Sequence, residues 1–213
     1  MTAQISDEIT YNGEQYTLAA VSEPIKFDPR DYGFKPSSAS TACRQGFWCE
    51  YAVEGGVLLM KRLHIHTEDE VYPEFNGASP VLPPAIDRDA KVIQVTTYDS
   101  LMGTVTYEAN MPMYYSGRMM LGRSFISEYF MNIGFPATLG FRDLLELVFE
   151  DGILQQVSDR SGDAALLRKA REKCWWFHSG TSQEQKILLD LIRELLNREK
   201  TLLSRKTDVE LVK

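Results

Sequence analysis

Gly46-Phe47-Trp48-Cys49-Glu50-Tyr51-Ala52-Val53, Glu54-Gly55-Gly56, then Val57-Leu58-Leu59-Met60-Lys61-Arg62-Leu63-His64-Ile65-His66 is the stretch on which the fold turns. Two runs rich in aromatic and aliphatic residues flank a Gly-Gly pair, and glycine reaches the positive φ angles of a two-residue hairpin turn without steric cost. The reading is an antiparallel hairpin. In a regular two-residue register Val53 faces Leu58, Cys49 faces Arg62 and Phe47 faces His64.

The same punctuation recurs on both sides. Asn12-Gly13 separates Ile9-Thr10-Tyr11 from Gln15-Tyr16-Thr17-Leu18, and Asp151-Gly152 separates Leu144 to Glu150 from Ile153 to Val157. Each predicts a hairpin. Further strands are expected at Lys91 to Tyr98, Gly103 to Glu108 and Arg118 to Leu121. Glu23 to Thr41 and Tyr72 to Ile86 carry prolines and glycines at positions that neither a helix nor a central strand accepts, and they read as irregular connections. Ser124 before Phe125, Ile126, Tyr129 and Phe130, with Gly134 and Pro136 after them, predicts a short mid-chain helix at about 125–133. From Ala164 the chain becomes rich in Ala, Leu, Lys, Arg and Glu, and Thr181-Ser182-Gln183-Glu184 opens a second helical stretch to about Ser204. The expected class is α+β: a mostly antiparallel, hairpin-built sheet over residues 1–160, with a helical extension over residues 161–213.

Composition narrows the function classes. With 213 residues, 44% hydrophobic and 25% charged, the chain suits a folded main domain. Its 30 acidic against 23 basic residues give a net charge of −7, which offers no attraction to nucleic acid or to an anionic membrane. No apolar run approaches the roughly 20 residues of a membrane span, and the polar start lacks a signal-peptide pattern. Three widely spaced cysteines argue against a secreted disulfide framework, so the cytoplasm is the expected compartment.

Thr41-Ala42-Cys43-Arg44-Gln45-Gly46-Phe47-Trp48-Cys49-Glu50-Tyr51 resembles a motif of small bacterial cytoplasmic proteins of uncharacterised function, which carry Thr-Ala, a Trp-Arg-Gly-Tyr core and an aromatic strand leading into a hairpin. The likeness continues through Tyr72 to Gly77, Tyr115-Ser116-Gly117, Phe125 to Phe135 and Phe149-Glu150-Asp151-Gly152, about two-thirds of the chain. Arg44-Gln45 stands where that family has Trp-Arg. The resemblance implies a β-rich fold and a bacterial cytoplasmic origin, and it implies no reaction.

His64-Ile65-His66 is the most suggestive short pattern, because alternate residues of a strand share a face and two imidazoles about 6 to 7 Å apart can reach one metal. In the regular register Cys43, Cys49, His64 and His66 point to one side. Six extended residues hold the two cysteines roughly 20 Å apart, so a four-ligand site fails unless residues 43 to 46 fold back. His64 and His66 remain, with Glu68 or Glu70 and Asp69 as neighbours, against the plainer reading of histidines on a solvated strand end. Cys43 and Cys49 lack a nucleophile signature and read as small buried hydrophobes. Arg44 beside Phe47 and Trp48, and Arg118 after Tyr115, are candidates to hold an anionic ligand between aromatic walls. No phosphate loop, nucleophile elbow or paired Cys-x-x-Cys is present, and no cofactor is expected.

Leu188, Leu189, Ile192, Leu195, Leu196, Leu202 and Leu203 form a wide apolar stripe whose heptads break at Arg198, Glu199 and Arg205. Such a stripe suits docking on a globular surface, with homodimerisation as the second expectation. The functional expectation is a non-enzymatic binding or interaction module for a protein or small ligand. The alternative is a metal-assisted or hydrolase-like enzyme using His64, His66 and nearby acids.

Overall fold

Asn12 and Gly13, Gly55 and Gly56, and Asp151 and Gly152 all take positive φ, at 51° and 78°, 57° and 82°, and 48° and 81°. Positive φ at both central residues is the turn whose twist matches the flanking strands, so each pair closes a tight hairpin. The computed structural model describes residues 3–83, 102–129 and 138–175. The chain divides into two units, Met1–Ala164 and Ala165–Lys213.

The first unit is built from eight strands: β1 (Glu8–Tyr11), β2 (Glu14–Val21), β3 (Phe47–Glu54), β4 (Val57–Ile65), β5 (Val105–Pro112), β6 (Gly117–Phe125), β7 (Phe141–Glu150) and β8 (Ile153–Asp159). They pair in the order β3-β1-β2-β6-β7-β8-β4-β5, and an additional β3–β4 pairing closes the first seven of these into a circuit, with β5 alongside β4. Closure between β8 and β4 rests on one register pair, Val57 with Ile153, flanked by Leu58 N–H to Gly152 O and Leu154 N–H to Gly56 O. The sheet is mixed: β1 runs parallel to β3, and every other strand pair is antiparallel. The strand class is therefore as expected, with a parallel pair that no hairpin signal announces.

The core gathers on one face of this circuit. Ile9, Cys49, Tyr51, Leu58, Met60, Leu63, Ile65, Val105, Tyr107, Met119, Leu121, Leu147 and Phe149 pack together there. Phe75, from the proline-rich connection, joins them edge-on to Tyr32, Phe34 and Tyr107.

The central hairpin departs from the regular register. Val53 faces Leu58 as expected, but Glu50 faces Arg62 while Tyr51 faces Met60, which leaves Lys61 as an extra residue on β4. Beyond this bulge Cys49 faces Leu63 and Phe47 faces Ile65. One inserted residue reverses the side to which every later side chain points. It keeps Met60 and Leu63 both in the core, and it turns His64 away from Cys49.

The mid-chain helix expected at about 125–133 does not start as read: Phe125 ends β6 and Ser127–Tyr129 is a short 3-10 turn, while residues 130–133 lie outside the described residues, as does the strand expected at Lys91 to Tyr98. The helix α1 spans Ser161–Trp175, starting three residues earlier than its composition indicated. The apolar stripe from Leu188 to Leu203 lies outside the described residues. Among the described residues no helix is long and apolar enough to cross a membrane.

Candidate functional site

The face opposite the core on β1, β3, β4 and β5 carries two neighbouring cross-strand rows. In the first, Trp48 lies opposite His64, His64 opposite Thr106, and Thr106 opposite Val81. In the second, Glu8 lies opposite Glu50, Glu50 opposite Arg62, and Arg62 opposite Glu108. Directly paired residues project to the same side, so both rows form one wall. The Lys61 bulge creates it, because a regular hairpin would send Arg62 and His64 inward.

The two rows are tied to each other. His64 Nε2 is 2.9 Å from Glu50 Oε1, and its Nδ1 is 3.2 Å from Thr106 Oγ1. The Trp48 indole covers the imidazole in a parallel stack. Arg62 bridges the second row, with Nη1 3.2 Å from Glu50 Oε2 and Nε 2.7 Å from Glu108 Oε1. Gln15 on β2 donates to Glu8. The bond from His64 draws the Glu50 carboxyl below its usual range, while burial and then the neighbouring Glu50 charge push Glu8 above it. An ionised carboxylate only accepts, so Nε2 donates to Glu50, and in the neutral tautomer that leaves Nδ1 bare this nitrogen accepts from the Thr106 hydroxyl.

The sequence-derived candidates are dispersed. Trp48 and His64 meet on the wall. Phe47 is on the other face, edge-on to Phe27 and packed against the core. Tyr115 is buried there too, and its hydroxyl donates to the Arg118 carbonyl. Arg118, on β6, has Nη1 3.5 Å from the buried Glu146, which Arg160 also engages. Arg44 is exposed on the turn before β3, where its N–H donates to the Gln4 side chain. The structure therefore does not assemble Arg44, Phe47, Trp48, Tyr115 and Arg118 on one surface.

His66 follows β4, and its Nδ1 is 3.0 Å from Ser37 Oγ. Asp69 is held by Lys35 at 2.8 Å. Among the described residues no three or more His, Cys, Asp or Glu side chains are placed to hold a metal ion. Cys43 and Cys49 are buried free thiols, and burial raises both.

Sequence reading missed Glu8, Glu50, Arg62, Thr106 and Glu108. The signal was present as polar residues two apart, Glu50 after Trp48, Arg62 before His64 and Glu108 after Thr106, but its use required the register. Set against models of protein families, curated proteins and solved structures, the chain matches none.

Proposed function

We propose that the protein is a binding module whose wall of β1, β3, β4 and β5 engages a partner bearing ammonium or guanidinium groups. The observation that carries this reading is the second row: Glu8, Glu50 and Glu108 share it with Arg62, which lies between Glu50 and Glu108, so three carboxylates stand beside one guanidinium group on one patch. The chain's net charge of −7 favours the same class of partner at long range. Aromatic and apolar side chains occupy the core face, which leaves the opposite face to recognition. Free thiols at Cys43 and Cys49 suit a reducing compartment, in line with a cytoplasmic protein.

The test is salt-dependent binding of a lysine- and arginine-rich peptide to the full chain, measured by calorimetry. Glu108→Lys should weaken binding at least tenfold. Asp31→Lys, an exposed position on the 3-10 turn Pro29–Tyr32, makes the same change in net charge away from the wall and should leave the affinity within about twofold. Equal losses for both variants would show attraction to the whole molecule rather than to this patch, and would overturn the reading.

A further inference from the structure

The first row of the wall does something that the second does not. Glu50, His64 and Thr106 form a continuous hydrogen-bonded chain, 2.9 Å and 3.2 Å long in its two links, across three adjacent strands. A hydroxyl within hydrogen-bond reach of an imidazole, itself oriented by a carboxylate, is the arrangement that activates an alcohol as a nucleophile. We propose that Thr106 is a nucleophile toward small acyl esters, with His64 as its general base and Glu50 as the positioning carboxylate. This activity is independent of whether the wall also binds a basic partner.

Four observations favour this role over simple satisfaction of a buried ring. Glu50 is itself braced by Arg62 at 3.2 Å, so the carboxylate is fixed before it meets the imidazole. Trp48 stacks on one face of His64, a residue only 5% exposed, which shields the base from water. Thr106 is only half-buried, so the residue bearing the hydroxyl is more open than the enclosed base. Val81, paired with Thr106 through two reciprocal backbone bonds and 57% exposed, places an apolar side chain on the same side. A short acyl chain resting on Val81 would bring its carbonyl carbon to Thr106 Oγ1.

The chemistry balances without a cofactor. Thr106 Oγ1 forms a bond to the acyl carbon as its proton passes to His64 Nδ1, and the bond from that carbon to the leaving oxygen breaks. His64 returns the proton to the departing alkoxide, giving an alcohol and an acyl-threonine. Water, deprotonated by the same nitrogen, then attacks the acyl carbon and restores the hydroxyl with release of the carboxylic acid.

The experiment uses the full chain with p-nitrophenyl acetate, following phenolate release and locating the acetyl group by peptide mass spectrometry. Acetyl should appear on the peptide containing Thr106. Thr106→Val and His64→Gln should lower release at least tenfold, and Thr106→Ser should retain it. Acetyl found only on lysines of the wild-type chain would overturn the proposal, a result that does not depend on whether any variant folds. So would a folded Thr106→Val protein that releases phenolate as fast as wild type.

Discussion

The indole of Trp48 and the imidazole of His64 lie face to face, with ring centroids 4.7 Å apart and planes 4° from parallel. The stack joins β3 to β4 beside the Glu50 bond, so a side chain on the wall is buried as thoroughly as one in the core. Trp48→Ala should lower unfolding free energy by about 3 to 5 kcal/mol, the range for removing a buried large aromatic. Urea unfolding measures it. A loss below about 1 kcal/mol would show that the stack contributes little to the stability of the wall.

Asp7 gives the protein a stability that falls with pH. Its carboxylate accepts from the Cys49 N–H at 2.8 Å, yet burial pushes its pKa up from the ordinary 3.8 to about 6. A raised folded pKa means that the native state binds the proton more tightly. The contribution is fully present below about pH 4 and is lost as pH rises through about 6. Asp7→Asn retains an acceptor for Cys49 and removes the buried charge. The variant should match wild type near pH 4 and exceed it at pH 7 by on the order of 1 to 3 kcal/mol. Chemical denaturation across that range decides it, and equal stability at both pH values would refute the account.

Two hairpin glycines separate backbone strain from steric conflict. Gly13 and Gly152 have nearly the same φ, 78° and 81°, but a Cβ at Gly13 meets nothing within 4 Å whereas one at Gly152 would lie 2.1 Å from the Met113 carbonyl oxygen. Gly13→Ala should cost about 1 kcal/mol for the left-handed conformation alone. Gly152→Ala should cost at least about 2 kcal/mol more, because the turn must move away from the Met113 carbonyl. Melting curves of the two variants, compared directly, test the difference.

Lys61 is the residue whose removal should do most harm for its exposure. Deleting it restores the regular register, which sends Arg62 and His64 toward the core and Leu63 and Ile65 toward the wall as long as the Gly55-Gly56 turn keeps its place. The deletion should abolish cooperative unfolding, whereas Lys61→Ala should stay within about 1 kcal/mol of wild type. Retention of a sharp transition in the deletion variant would mean that β4 absorbs the shift elsewhere.

The positions of the three tight hairpins, the irregular stretches between them and the onset of helix near residue 161 were legible in the chain itself. They depend on φ angles that Gly, Asn and Asp adopt, on the rigidity of proline and on helix-forming composition, all of which act within a few residues. The parallel pairing of β1 with β3, the closure of β8 on β4 and the bulge at Lys61 were decided by tertiary structure. Each depends on which side chains fit together across strands distant in sequence, and that fit is a property of the packed core. The candidate site follows from the last of these. His64 and Trp48 stood out as residues, but Glu50, Arg62 and Thr106 became their neighbours only when packing required Met60 and Leu63 to share the core, leaving Lys61 to take up the odd residue between them.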